Sequence, residues 1–581
     1  MLSTFKKLTF LINKKLKKKL ILIYFITIIG TFLETLGIGV ILPILKIIVE
    51  GKDFLNDISF HNFFLNDLAS FLQKKSYNEL VIFLLVSLIF IFFVKTAFFL
   101  FLIQKQTKFS HLVEYELAKQ FFSHYLHQDY SFHLKRNSSE LLANITEEIK
   151  KLRINLIDPF LIISTEIILL IAIITLLVAI EPVGSLTIGL ITLLISFLYV
   201  KITSKKILTL SKKRQIHEAL KIHHLRQGLN GIKEIKISCK ENSFLSIFDK
   251  HNLETLNSRA NFHSWNAIPK YILEFIGVFG LSILAVILVK KGADIKSLLP
   301  TLGVFVVATL RLLPSASKII QSAGKIRYGV PSVDLLKKEI EQSDYKTSEK
   351  NIKNLKDFEF NELKFENISF NYLNSNKKIL DRISLRINKG DKIGIVGASG
   401  TGKSTLIDIF TGLINPSFGK IYLNERLVKL NDKNWYDVIG YTPQFIFLTD
   451  DTILNNIAFG VNEREHQLKS IKRACEVAEL DNFIKTSNSG LKTKIGELGV
   501  RLSGGQRQRI GIARAIYSNP QILVFDESTS AIDIKTEEKI INNINSLPNK
   551  TVIIISHRLS TLQKCNKVFE IKNGNLFPKK I

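Results

Sequence analysis

The sequence has 581 residues, 46% of them hydrophobic and 22% charged, with a formal charge of +28 and three cysteines. That length provides for more than one domain, and the mixture of apolar and charged residues excludes intrinsic disorder and collagen-like repeats. Cys239, Cys475 and Cys565 are too scattered for a disulfide framework or a zinc site. The positive charge is spread through a chain rich in Lys, Ile, Asn and Phe, so it does not by itself point to nucleic acid.

Apolar runs long enough to span a bilayer, about 20 residues each, recur before residue 324 and not after it. Six are read, at 20–48, 79–103, 155–180, 182–202, 267–289 and 298–322. Glu181-Pro182 interrupts the nearly continuous stretch 155–202, and a proline restricts the residue before it away from helix, so a tight hairpin between the third and fourth runs is expected there. Lysines crowd the N-terminus from Lys6 to Lys19, and Lys and Arg crowd the segment from Lys205 to Arg226, while the turn at Glu181 has neither. The positive-inside rule therefore places the N-terminus, 104–154, 203–266 and everything after the sixth run in the cytoplasm. The first apolar run is too long for a signal peptide and lacks a small-residue cleavage site.

The two long cytoplasmic connections are charged yet periodic, and are expected to be helices continuing beyond the membrane. Their turns, at 128–140 and 228–236, are expected to grip the soluble half. Residues 52–75 carry Phe54, Phe60, Phe63, Phe64 and Phe71 among polar residues. They read either as an amphipathic segment on the outer membrane face or as an ordinary loop. The expected domains are a transmembrane domain at 1–323, a polar linker at 324–356 and a soluble domain at 357–581.

In the soluble half, short β-rich runs alternate with helical stretches, the pattern of an α/β domain. After the strand at 392–396 comes Gly397-Ala398-Ser399-Gly400-Thr401-Gly402-Lys403-Ser404, with Thr405 beyond it, a complete GxxxxGK[ST] P-loop. Glycines there let backbone N–H groups approach phosphates, Lys403 reaches the β/γ oxygens, and Ser404 ligands Mg²⁺. Further on, the apolar run 522–525 ends in Asp526-Glu527. A buried strand delivers its last side chains to the sheet edge where nucleotides bind, so Asp526 is placed to hold Mg²⁺ and Glu527 to orient or deprotonate the attacking water.

Between these lies Leu502-Ser503-Gly504-Gly505-Gln506, and with it the chain resembles ABC transporters of the exporter type, in which membrane and ATPase domains are fused. The resemblance implies a membrane α-helical bundle of six transmembrane helices fused to an α/β P-loop NTPase domain of ABC type. It implies that Ser503, Gly504, Gly505 and Gln506 cap the γ-phosphate of ATP held by another protomer. It further implies that Gln444 senses Mg²⁺, Tyr372 stacks on adenine, Asp533 belongs to the D-loop, and His557 contacts the γ-phosphate. ATP and Mg²⁺ are the implied cofactors. One P-loop and one signature occur, so the resemblance implies a homodimer with two composite sites.

Charged residues inside spans usually face a bundle interior or a wet cavity. Glu34, Lys95, Lys270, Glu274, Arg311 and Lys318 fall inside the runs. At 1.5 Å per residue Arg311 lies about 20 Å and Lys318 about 30 Å into the sixth span from outside, on one helical face. With Lys95 and Lys270 at a similar depth, four cations are expected to form a basic belt in an inward-open cavity. Snorkelling to the headgroups, and pairing of Lys270 with Glu274, are the competing readings. The stretches 268–274 and 311–316 resemble bacterial lipid-linked oligosaccharide flippases. That resemblance implies a polyprenyl-pyrophosphate glycan, an amphipathic substrate with an anionic head, flipped across the cytoplasmic (inner) membrane of a bacterium among membrane lipids. Export of a peptide, drug or other lipid is the alternative, and an ATP-gated channel or regulatory membrane ATPase is the alternative of another class. The spans exclude a nucleic-acid-repair ATPase.

Overall fold

The computed structural model describes residues 14–50, 76–180, 182–290, 295–341, 360–372, 378–427 and 433–580. The expected segment at 52–75 lies outside the described residues, as does 342–356. The chain forms two compact units, one of Met1–Gln128 with Arg136–Tyr345 and one of Asp129–Lys135 with Lys346–Ile581.

The first unit is helical. Its long helices are α1 (Lys14–Gly39, continued by Ile41–Glu50), α2 (Tyr77–Leu126), α3 (Asp158–Ile180), α4 (Pro182–Asn230), α5 (Glu241–Lys290) and α6 (Ile295–Glu341). At 50 residues, α2 is about 75 Å long, more than twice the hydrocarbon thickness of about 30 Å, so it runs on beyond the bilayer. Helix α2 starts with Ser76 and Glu79 in a reciprocal capping box. Pro182 opens α4 immediately after α3 ends, the position where a missing N–H costs nothing. Among the described residues, five stretches are long and apolar enough to cross a membrane: Lys14–Ile48, Tyr77–Leu126, Ser138–Ile180, Glu241–Val286 and Leu302–Glu341. The remaining apolar run, 182–202, opens α4 and exposes Leu190, Leu193, Leu194 and Phe197 along its length.

Residues 324–341, read from the sequence as the start of a linker, are the end of α6 instead. Ile326, Val333 and Leu336 are buried at helical spacing, a periodicity that the intervening polar residues mask. Glu339 is also buried and accepts from Arg136 at 2.8 Å. The turn at 128–140 contains the short helix Tyr130–Lys135, which falls in the second compact unit, and the turn at 228–236 overlaps the short helix Ile232–Ile237.

The second unit holds two sheets. An antiparallel one runs β2–β1–β4–β5 (β1 Glu362–Phe370, β2 Leu380–Asn388, β4 Phe418–Leu423, β5 Arg426–Leu427). The other runs β10–β9–β3–β8–β7–β6, with β3 Lys392–Val396, β6 Ile439–Thr442, β7 Ile522–Asp526, β8 Thr551–Ile555, β9 Lys567–Lys572 and β10 Asn575–Pro578. Strands β9, β3, β8, β7 and β6 are parallel, and β10 closes the edge antiparallel. Every residue of β7 and β8 is buried, which is why both read as unbroken apolar runs. The segments that follow β3, β6, β7 and β8 all emerge at one carboxyl edge, where such sheets bind ligands.

Candidate functional site

The loop after β3 leads into α7 (Lys403–Phe410). Gly402 caps this helix at φ +102°, a left-handed conformation that a side chain would strain, and an added Cβ would meet Leu380 at 2.9 Å. The Lys403 ammonium donates to the carbonyls of Gly397 at 2.7 Å and Ala398 at 3.1 Å, so it lies over the loop. Ser404 is exposed in the first turn and Thr405 is buried. The Tyr372 hydroxyl lies 3.4 Å from Thr405 Oγ1, while the residue as a whole remains exposed.

Asp526 ends β7 and is buried. Burial, and secondarily the Glu527 charge, push its carboxyl up to about 6, with Lys403 acting in the opposite direction. Burial and then Asp526 likewise push Asp408, on α7, up to about 6. Glu527 has φ +45°, a costly conformation for a non-glycine residue, and its N–H donates to Ile555 on the neighbouring strand. Its carboxylate is held from two sides. Gln444 Nε2 donates to Oε2 at 3.0 Å, and His557 Nε2 lies 3.1 Å from Oε1. An ionised Glu527 only accepts, so the His557 tautomer that completes this bond carries its proton on Nε2.

The signature loop is built separately. Ser503 caps α8 (Gly504–Tyr517) in a reciprocal box with Gln506, and neither bonds to residues 397–404 among the described residues. Gln508, one turn on, donates to Ser530 Oγ at 3.0 Å and accepts from the Ala531 N–H at 2.8 Å. Asp533 caps α9 (Ile534–Asn545) by accepting from Thr536 N–H at 2.9 Å. Arg558 donates to the Ser530 and Ile532 carbonyls and pairs with buried Glu537, which also accepts from Thr529 and Thr561 at 2.8 Å each. This node ties the segment after β7 to the one after β8.

In the helical unit, buried Glu34 on α1 takes two cations on one oxygen: Lys95 Nζ on α2 at 3.0 Å and Arg311 Nε on α6 at 2.9 Å. Buried Glu166 on α3 takes Lys318 at 2.7 Å. Arg311 and Lys318, with Arg153 and Lys325, line a cavity of about 520 Å³ between α2, α3 and α6, against the carboxylates Asp158 and Glu166. Arg153 is held by Glu114 at 2.6 Å and Asp158 at 2.8 Å.

Residues 20–309 match the family described as ABC transporter transmembrane region, and residues 380–530 that described as ABC transporter. Over 479 residues, 79% of each protein, the chain is 30% identical to the ATP-dependent lipid A-core flippase of Pseudoalteromonas translucida. The chain belongs to the ABC transporter family. It is also 26% identical over 471 residues, 80% of each protein, to the putative multidrug export ATP-binding/permease protein YgaD of Bacillus subtilis. A solved structure of a bacterial Atm1-family ABC exporter with ATP bound shares the fold at a TM-score of 0.78 and 20% identity, covering 97% of this chain and 95% of that one. The ABC transporter thus has a multi-pass membrane region and a cytoplasmic ATPase domain that binds nucleotide and couples its hydrolysis to translocation.

Of the residues singled out in the transporter's sequence, Gln444, Glu527 and His557 form one hydrogen-bonded set. Asp526 directly precedes it, and the P-loop follows β3, two strands across. The basic belt needs two corrections. Lys270 is exposed and sits 3.9 Å from Glu274, one turn away on its own helix, so it does not join the cavity. Lys95, Arg311 and Lys318 are compensated by Glu34 and Glu166, because isolated charges at that depth are costly. Glu166, an acid deep within the third apolar run, is a signal the sequence held, and Asp408 amid Leu406, Ile407, Ile409 and Phe410 is its counterpart in the ATPase domain. Gln508, Glu537 and Arg558 carry no mark in the sequence beyond their closeness to the motifs.

Proposed function

We propose that the transporter works as a homodimer in the cytoplasmic membrane of a bacterium and flips an amphipathic lipid with an anionic head, a polyprenyl-pyrophosphate-linked oligosaccharide, from the inner to the outer leaflet. The observation that carries this reading is the cavity with four cations against two carboxylates, set among membrane helices. The guanidinium and ammonium groups on that wall suit a pyrophosphate, and Arg311, which meets Glu34 through Nε, can still offer it two parallel donors. Gln106, Thr107, Thr165 and Gln321 on the same walls suit sugar hydroxyls. The lipid A-core flippase relative supports a lipid cargo.

On this reading the P-loop N–H groups and Lys403 bind the β- and γ-phosphates, and Tyr372 stacks on the adenine. Ser404, Gln444 and Asp526 offer hydroxyl, amide and carboxylate oxygens, the donor set that suits Mg²⁺. Bound with ATP, Mg²⁺ neutralises phosphate charge. Glu527, held by Gln444 and His557, orients the attacking water and accepts its proton as the bond between the γ-phosphorus and the bridging oxygen breaks, leaving ADP and phosphate. The signature of the second copy caps each nucleotide, and Asp533 fixes the start of α9 beside the interface.

A second reading, export of an apolar drug, draws on a cavity of about 310 Å³ walled by Ile174, Phe305, Leu312 and Leu313, and on the multidrug-export relative. Stimulation of ATPase activity in the reconstituted transporter separates the two. A lipid-linked oligosaccharide extract is expected to stimulate turnover and to lose that effect once its pyrophosphate is hydrolysed. Equal stimulation by the hydrolysed extract would favour the apolar cargo.

A further inference from the structure

The transporter has a further cavity, of about 420 Å³, where the apolar runs of α4, α5 and α6 meet their cytoplasmic extensions. It shares no lining residue with the cavity assigned to the cargo. The two lie on opposite faces of α6: Ile320, Ala323, Gly324 and Arg327 line this one, while Lys318, Gln321, Ser322 and Lys325 line the other.

Its depth is set by the spans. Lys201 closes the apolar run of α4, Trp265 and Asn266 precede that of α5, and Gly324 and Arg327 follow that of α6. Because α6 leads to the cytoplasmic ATPase domain, all three helix segments sit at the inner headgroup level. The floor is tightly built. An added Cβ on Gly324 would meet Asn266 Oδ1 at 2.5 Å, so α5 and α6 approach through a residue without a side chain. Tyr199 donates its hydroxyl to the Trp265 carbonyl, Arg327 donates to Ser204 Oγ at 3.2 Å, and Lys206 stands 4.1 Å over the Trp265 ring.

The walls are largely apolar and the rim is cationic, with Lys201 and Arg327 lining it and Lys206 beside it. Among the described residues no carboxylate lines this cavity, whereas the cargo cavity has two. Phe197 at its lip continues the exposed apolar stripe of Leu190, Leu193 and Leu194 up α4. A phosphate at the rim and an acyl chain along that stripe satisfy both parts at once. We propose that this cavity is a resident site for an anionic phospholipid of the inner leaflet, its phosphate held by Lys201 and Arg327 and its upper chain packed on Phe197 and Trp265. Tryptophan and basic residues at the headgroup level have the matching chemistry.

The chain supplies its own probe. Of its two tryptophans, Trp435 is buried in the ATPase core and Trp265 is at the cavity. Full-length transporter is reconstituted in phosphatidylcholine with increasing fractions of brominated phosphatidylglycerol or, in parallel, brominated phosphatidylcholine, and tryptophan quenching is followed. Half-maximal quenching is expected at an about fivefold lower fraction of the glycerol lipid, the effect of one basic residue near the surface. The preference should vanish in K201Q/R327Q and persist in K201R/R327K. Coincident curves in the unaltered protein, or an unchanged preference in K201Q/R327Q, would overturn the proposal. Recovery of emission with excess inorganic phosphate would do so too, by assigning the site to a free anion.

Discussion

The ATPase domain and the membrane bundle use charge in opposite ways. At the carboxyl edge of the parallel sheet, Asp526 and Asp408 stand together as weakened acids, and Glu527 is held in a strained backbone by Gln444 and His557. Charge there is left in tension, ready for phosphate and metal. In the bundle, Glu34 and Glu166 cancel Lys95, Arg311 and Lys318, so charge is settled within the protein and only its surplus faces the cavity. A water-accessible edge with a polar ligand tolerates an unpaired group, whereas a membrane interior does not.

That contrast breaks most severely at Glu527. Glu527→Gln should lower ATP hydrolysis by about 10²–10⁴-fold, the usual contribution of a positioned base, while ATP binding persists through Lys403, Ser404 and Asp526. Single-turnover hydrolysis and equilibrium nucleotide binding on the purified variant measure both halves of this expectation. Turnover near the unaltered rate would remove Glu527 from its role.

The bundle side is tested at Glu34. Glu34→Gln leaves two half-buried cations sharing a neutral amide and should destabilise the transporter by about 3 kcal/mol. Lys95→Met should cost less, since Glu34 keeps Arg311. Thermal unfolding of the two detergent-solubilised variants orders them, and the reverse order would mean that the carboxylate is not the hub.

A smaller effect follows from the acid pair. The raised carboxyls of Asp526 and Asp408 favour the protonated form in the folded state. Their contribution to stability is therefore full below the unfolded value near 4 and lost as pH rises through about 6. Nucleotide binding with Mg²⁺ needs the Asp526 carboxylate and runs the other way, weakening as pH falls below about 6. Glu527→Gln removes the charge beside Asp526 and should move that midpoint to lower pH, as nucleotide titrations across pH 5–7 would show. An unmoved midpoint would mean that Asp526 and Glu527 are not coupled.

Much of the ATPase site was legible because its chemistry is local: Gly402 needs its left-handed turn, and Lys403 follows directly on the same loop. Strands β7 and β8 were legible as unbroken apolar runs. What escaped is pairing across long separations. Nothing within the sequence around Lys318 names Glu166 as its partner, and nothing near Lys95 and Arg311 shows that they share Glu34. The helical end of α6, at 324–341, escaped because its buried stripe is interleaved with polar residues that bond within the fold, Ser332 and Glu339 among them.

The most direct test of the cargo assignment is a flipping assay of Arg311→Ala, Arg311→Lys and Lys318→Ala, reconstituted in one lipid background with a labelled pyrophosphate-linked oligosaccharide. Arg311→Ala should cut flipping by roughly tenfold or more, the loss of one charge-assisted bond, while basal ATPase activity stays almost intact. Arg311→Lys should recover little of it, because a single ammonium cannot reproduce two parallel donors. Lys318→Ala should show the mildest loss, since its single nitrogen already answers to Glu166, whereas Arg311 meets Glu34 through Nε and keeps two terminal nitrogens. Unchanged flipping in all three variants would contradict recognition of an anionic head and leave the apolar cargo as the better account.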